Sequence, residues 1–255
     1  MNPMKTVKAA RDNGRTLTSE WIDLVFDTFI ELHGDRNFGD DQAIIGGIAM
    51  LGARPVTVIG MEKGHDLTRN LQTNFGSVHP EGYRKSLRLM KQAEKFGRPI
   101  VTFVNTAGAF CGITAEERGI GQAIANNLAQ MSQLQVPVIC ILTGEGGSGG
   151  ALALAVANQV WILELAMYSI LSPEGFASIL WKDSSRAAEA SKLMGFTSKE
   201  LLEQTIVDQV IPEQRKSPEK IAQHIRKQLI DYLDSTKSRT GPEWAQDRYE
   251  RFRKF

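Results

Sequence analysis

The sequence predicts an α/β fold whose later strands run parallel, and three observations carry that prediction. Two continuous apolar runs, 99–104 and 137–142, each pass into a glycine-bearing turn and then a helical pattern, as buried parallel strands do. A third apolar pair, 43–51 and 55–61, is separated only by Gly52-Ala53-Arg54 and reads as two strands joined by a tight turn. From residue 173 onward helical periodicity dominates, with one late strand at 206–211.

Each element follows in order. Residues 18–32 read as an amphipathic helix, because Trp21, Leu24, Val25, Phe29 and Leu32 recur near helical spacing after the cap residues Thr18 and Ser19, and Gly34 ends it. Residues 63–79 lack periodicity and read as a loop. Pro80 and Gly97 bracket a helix with the stripe Tyr83, Leu87, Met90 and Ala93. Beside that stripe Arg84, Arg88, Lys91 and Lys95 form a basic face, either solvated or facing an anionic ligand or partner. After the 99–104 strand comes the turn 105–112, and Thr114 with Glu117 forms a capping box for a helix to about Leu134. A small-residue helix follows the second turn from Gly149 to about Ala157, and 160–163 and 168–171 add short strands. Helices are predicted at 173–181, 185–194, 198–204 and from Ser217 to about Leu233, and the tail 240–255 is a helix that packs on something. The chain reads as a single domain over 1–255, with an N-terminal segment 1–17 and a helical tail 217–255, since no Pro-, Gly- or Ser-rich linker divides it.

The bulk properties exclude several classes. A formal charge of +1 leaves no field to attract nucleic acid or an anionic membrane. The two cysteines, Cys111 and Cys140, form no zinc-ligand spacing, so no metal site is expected. Residues 1–15 carry Lys5, Lys8, Arg11 and Arg15 but no apolar signal core, and no run approaches a membrane span. A soluble, cytoplasmic chain with reduced thiols is expected.

The segment 144–150 satisfies several motifs at once. Gly144, Gly146 and Gly149 fit the dinucleotide fingerprint, with Glu164 twenty residues after Gly144. Gly146, Ser148 and Gly150 fit the nucleophile elbow of serine hydrolases, with His224 and Asp183 or Asp208 as possible partners. The phosphate loop fails, because Ala151 stands where its Lys belongs. Common to all is a backbone that approaches a ligand closely and offers free N–H groups to an anion. The turn 105–112 leaves the neighbouring strand in the same direction, so one N–H from each turn can converge on a single oxygen.

Together with these turns, several segments resemble the alpha subunits of bacterial acetyl-CoA carboxylase carboxyltransferases from about Thr18 onward. They are Gly34-Asp35-Arg36, Gly46-Gly47-Ile48-Ala49, Asn74-Phe75-Gly76, Pro80-Glu81-Gly82-Tyr83-Arg84-Lys85, Ala115-Glu116-Glu117-Arg118-Gly119, the 144–150 turn, Ser172-Pro173-Glu174-Gly175 and Ser178-Ile179-Leu180-Trp181. The resemblance implies a crotonase-like right-handed spiral of strand-strand-helix units with a helical C-terminal region. It also implies transfer of a carboxyl group from carboxybiotin on a carrier protein to acetyl-CoA, giving malonyl-CoA for fatty acid synthesis.

By that resemblance Gly149 and Gly150 donate N–H groups to the ureido oxygen, facing a wall formed by Gly108 and Ala109. Gly146, Gly147, Phe110, Lys63 and Arg84 are implied binding residues; His65 and His79 are further contacts in this reading, and no metal lies in this chain. The implied partners are a beta subunit with a zinc ribbon in an α2β2 heterotetramer, the biotin carboxyl carrier protein and, in the wider complex, biotin carboxylase. Ala107, Phe110 and Cys111 stand where the family usually has Pro, Tyr and Pro, so a less rigid first turn is expected. Many relatives also carry a longer helical N-terminal extension than the one seen here.

Overall fold

The computed structural model describes residues 3–255; Met1 and Asn2, the start of the expected N-terminal segment, lie outside the described residues. A single eight-stranded mixed sheet organises the chain, in the order β1-β2-β3-β4-β5-β6-β8, with β7 off this path and paired to β5. The strands are β1 Thr28–Glu31, β2 Ile44–Leu51, β3 Arg54–Met61, β4 Ile100–Thr106, β5 Val138–Gly147, β6 Gln159–Leu163, β7 Met167–Ser169 and β8 Gln209–Ile211. β1, β2 and β3 are antiparallel, and every pairing from β3 onward is parallel. β4 and β5 are buried along their whole length, as the continuous apolar runs require.

Twelve helices surround it among the described residues: α1 Pro3–Ala10, α2 Thr18–Val25, α3 Leu67–Gln72, α4 Pro80–Lys95, α5 Ile113–Glu117, α6 Ile120–Gln133, α7 Ser148–Leu152, α8 Pro173–Trp181, α9 Ala187–Ala190, α10 Ser198–Glu203, α11 Pro218–Ser235 and α12 Gly241–Phe252. None is long and apolar enough to cross a membrane. The hairpin β2–β3 is followed by the short α3 and then α4, and β6–β7 by α8, two strand-strand-helix units; β4 and β5 each feed helices directly.

Four expectations are corrected. The 18–32 helix ends at Val25, and Thr28–Glu31 becomes an edge strand because it pairs with Gly47–Met50 of β2, a partner that local periodicity does not reveal. The 63–79 loop contains α3, capped by Asp66, whose side chain accepts the Arg69 N–H at 2.8 Å. No capping box forms at Thr114; Gly112 precedes α5, and Gly119 in the left-handed region breaks the run before α6. The 185–194 helix is only a single turn at Ser184–Arg186 followed by α9.

Two of the motifs that carried the resemblance are partners in the scaffold. Asp35 accepts the N–H groups of Asn37, Phe38 and Gly39 through one oxygen, while the other takes Arg84 Nε at 2.7 Å. Lys85, fully buried, donates to the Ile44 carbonyl at 2.8 Å and pairs with Asp40 at 2.8 Å. Together they pin α4 to the start of β2. The face of α4 that is buried centres on Tyr83, Ser86, Leu89, Met90 and Ala93, a slight rotation from the predicted stripe, with Leu87 half-buried.

The N-terminal segment folds back over the sheet. α1 packs Val7 and Ala10 against Met167 and Phe196, and His65 fastens the stretch before α2 by contacting the Asn13 carbonyl at 2.7 Å and Glu20 at 2.9 Å. Those acceptors, the carbonyl first and then the carboxylate, raise the His65 pKa above its ordinary value. A raised folded-state pKa gives stability that is complete below the unfolded value, about 6.5, and is lost as pH climbs through the folded one. Cleavage of the segment by trypsin near Arg11 and Arg15, taken relative to an unfolded peptide at the same pH, is therefore expected to quicken as pH rises above about 6.5, and His65→Ala is expected to flatten that dependence.

Candidate functional site

The site grows out of the β4–β5 pair. Their register runs from Ile100↔Val138 to Val104↔Leu142 and then slips, so that Thr106 meets Gly146. Past the slip β5 leaves β6 and pairs through Glu145–Gly147 with β7. The segment expected to be one long turn is thus half strand: residues 144–147 are extended and buried, and the chain reverses only at Ser148, with φ 58°. Gly146 and Gly147, assigned to ligand binding, are buried strand residues.

Their lack of side chains has a different cause. A Cβ on Gly147 would strike the Ala107 carbonyl, and one on Gly150 would strike the Ala109 nitrogen and lie 2.9 Å from the Gly108 carbonyl carbon and the Tyr83 hydroxyl. The two turns therefore abut backbone to backbone, and the predicted set Gly149, Gly150, Gly108 and Ala109 comes together. Gly149 and Gly150 occupy the first turn of α7, where N–H groups have no acceptor four residues back. Gly108, Ala109 and Gly149 are half-buried, and Gly150 is buried.

Neighbouring side chains fix both turns. Asn105 Oδ1 accepts the Glu145 N–H at 3.1 Å, and Thr106 Oγ1 accepts the Gly108 N–H at 3.0 Å while donating to its carbonyl at 2.8 Å. The Phe110 N–H donates to Val78 at 3.0 Å, and its ring stacks on His79 at 3.9 Å between centroids. Tyr83 donates to the Gly150 carbonyl at 3.2 Å, and burial holds its phenol well above the ordinary value, so it stays protonated. Cys111 is exposed and free; Cys140 is buried, its thiol pushed up to about 12 by that burial.

Two cavities flank the turns. One of about 570 Å³, mainly apolar, is bounded by Ser148, Gly149, Tyr168, Met194, Leu201 and Phe252. The other, about 200 Å³, lies on the Ala107 side beneath the N-terminal segment and contains Lys63, Asn105 and Glu145. Burial pushes the Lys63 ammonium below its ordinary pKa, Glu145 opposing that shift and Arg11 and Arg15 adding to it. Arg84 is elsewhere: its guanidinium is committed to Asp35 and the Arg118 carbonyl, and Arg88 to the carbonyls of Gly34 and His33. Half of the basic face is therefore scaffold, and Lys91 and Lys95 are exposed.

The hydrolase and dinucleotide readings lose their geometry. His224 sits on α11, Asp183 caps Ser185, and Asp208 is paired with Arg251. Glu164 accepts the N–H groups of Glu213 and Gln214, and Gly144 and Gly146 are closed within β5. Ser148→Ala is expected to change turnover by less than about two-fold, since neither residue supplies a nucleophile there and both carry the same backbone strain. Sequence reasoning missed Tyr83 and Asn105 as supports of the turns, and Glu145 and Arg11 as an ion pair at 2.9 Å; partners so distant leave no local pattern.

Comparisons with known proteins identify the family and the fold. A family model described as acetyl co-enzyme A carboxylase carboxyltransferase-like matches residues 1–255. A chain of Streptococcus pyogenes serotype M5 (strain Manfredo) named acetyl-coenzyme A carboxylase carboxyl transferase subunit alpha is 59% identical over 251 residues, 98% of each chain. The protein of the same name in Streptococcus equi subsp. zooepidemicus (strain MGCS10565) is 58% identical over the same length and coverage. Among solved structures, the transcarboxylase 12S core with methylmalonyl-coenzyme A bound superposes with TM-score 0.73 at 19% identity, over 88% of this chain and 43% of that one. The Pseudomonas malonate decarboxylase MdcD-MdcE hetero-dimer gives 0.69 at 18% identity, over 92% of this chain and 96% of that one. At such identities the structures speak for the fold, a crotonase-like carboxyltransferase fold.

Proposed function

The chain belongs to the acetyl co-enzyme A carboxylase carboxyltransferase-like family, and from that premise we propose that its two abutting turns form an oxyanion hole serving the carboxyl transfer. The chain is the alpha subunit of a carboxyltransferase. The observation that carries the proposed hole is the contact of Gly150 with the Gly108–Ala109 peptide.

The substrates in this reading are carboxybiotin on a carrier protein and acetyl-CoA. When bound, biotin supplies a transferable carboxyl and a ureido oxygen that gains negative charge as that carboxyl leaves. The chain's own contribution is fixed N–H groups. Gly149 and Gly150 donate from one turn, and Ala109 faces them from the other, in a setting where little reorganisation is needed as charge develops. In this reading no side chain of this chain acts as base: the Tyr83 phenol is held protonated, and the Glu145 carboxylate is engaged by Arg11. The mainly apolar cavity beside Gly149 suits a flat bicyclic ring with an aliphatic tail, and Lys63 lines the smaller cavity on the Ala107 side.

The hole is half of a site. A zinc-bearing beta subunit completes it in an α2β2 heterotetramer, with the biotin carboxyl carrier protein delivering its cargo, biotin carboxylase in the wider complex, and the cytoplasm as the compartment. Exposed Ile170, Ile179, Leu180 and Leu193 give an apolar surface for that partner. Carboxyl transfer to acetyl-CoA is expected only when both subunits are combined; malonyl-CoA formed by this chain alone would overturn the half-site reading.

A further inference from the structure

The glycine strand has almost nothing with which to hold itself. Across residues 144–147 only Glu145 carries a side chain, and strands so poor in side chains have weakly specified register. An oxyanion hole tolerates little of that freedom, since displacement of about 1 Å can cost on the order of 100-fold in rate.

We propose that Arg11 and Arg15 are positioning residues that clasp the glycine strand and hold its N–H groups in register with Gly108–Ala109, an inference that rests on the oxyanion-hole reading. Arg11 Nε donates to Glu145 Oε1 at 2.9 Å, and its Nη1 reaches Glu174 on α8 at 3.0 Å. Glu145 is buried, and Arg11 is its only ion-pair partner within 4 Å among the described residues. Arg15 Nε donates to the Thr143 carbonyl at 2.7 Å while its Nη2 pairs with Glu213 at 3.1 Å. The two arginines thus grip the strand on either side of Gly144, one by its backbone and one by its single side chain.

The segment that carries them is itself anchored. Val7 and Ala10 are buried against Met167 and Phe196, and Met167 pairs with Glu145 in the β5–β7 ladder. The clasp therefore closes over β5 and β7, with Arg11, Arg15 and Glu145 sharing one cavity with Asn105 and Ala107 of the first turn.

The test uses the chain assembled with its beta partner and measures kcat, KM and amide exchange. Arg11→Ala and Arg15→Ala are expected to lower kcat about ten-fold at unchanged KM and to speed exchange across 143–150. Glu145→Gln is expected to match Arg11→Ala, and the double variant to be no slower than either, because both cut the same link. Arg11→Lys keeps a cation beside Glu145 and is expected to recover part of kcat, which separates a lost grip from a folding defect. A kcat within two-fold of the parent in Arg11→Ala and Arg15→Ala overturns the proposal, as do losses that multiply in the double variant or a Lys variant as slow as the Ala variant. Gly150→Ala distinguishes the two inferences: turnover lost there but intact in the arginine variants fells the clasp alone, whereas turnover intact in Gly150→Ala fells the hole itself.

Discussion

Gly150→Ala is expected to lower carboxyl-transfer turnover of the assembled complex by roughly 10²–10³-fold, the cost seen when one oxyanion donor is lost. The added methyl has no room. It would strike the Ala109 nitrogen and press on the Gly108 carbonyl carbon and the Tyr83 hydroxyl, each 2.9 Å away, so the two turns must part. Gly149→Ala is the matched control, because a Cβ there meets only Ile124 Cγ2 at 3.9 Å and the N–H is kept. It is expected to stay within about two-fold, whereas Gly149→Pro, which removes the N–H, is expected to fall with Gly150→Ala. Turnover measured at saturating substrates, beside melting temperature, separates misplacement from unfolding. Equal turnover in Gly150→Ala and the parent would remove the hole.

The largest effect on stability is expected at Asn158, for which replacement by alanine should cost about 3 kcal/mol, or roughly 6–12 °C in melting temperature. Asn158, buried just before β6, ties β5 to α12. Its carbonyl oxygen accepts from the Val138 N–H at 3.1 Å and from Arg248 Nη1 at 2.5 Å, and its amide donates to the Trp244 carbonyl at 3.0 Å. Arg248 is fully buried, and burial lowers its pKa to about 10, so it remains charged at neutral pH. Removing Asn158 leaves that cation with the Val136 carbonyl at 3.1 Å as its remaining hydrogen bond. The tail helix α12 should then loosen, taking Arg251, Phe252 and Phe255 away from the cavity beside Gly149. Calorimetry and proteolysis of the tail measure both effects; an unchanged melting temperature would show that the network adds nothing.

Much of the architecture was readable without coordinates. The hairpin, α4, α8 and α11 fall where capping residues, proline at a first turn and helical spacing place them, because such signals act within about four residues. The elements misread are those whose state depends on a distant partner. Thr28–Glu31 has apolar residues at helical spacing yet pairs with β2, and residues 144–147 carry turn-rich composition yet pair with β7. In both, ladder hydrogen bonds to a strand far along the chain outweigh a weak local preference.

Local pattern sufficed for the α/β fold class, the family resemblance and the proposal that Gly149 and Gly150 offer backbone donors to an anion. What depended on tertiary packing was the state of the neighbouring glycines. Gly146 and Gly147 pair with β7 and have no room for side chains, and beyond the positive φ at Ser148 it is Gly150 that packs directly on the Gly108–Ala109 peptide. The grip of Arg11 on Glu145 spans 134 residues, and Arg84 turned inward to Asp35 instead of outward to a ligand. Charge and spacing say that an arginine seeks an acceptor; only the packed chain brings one particular carboxylate within reach.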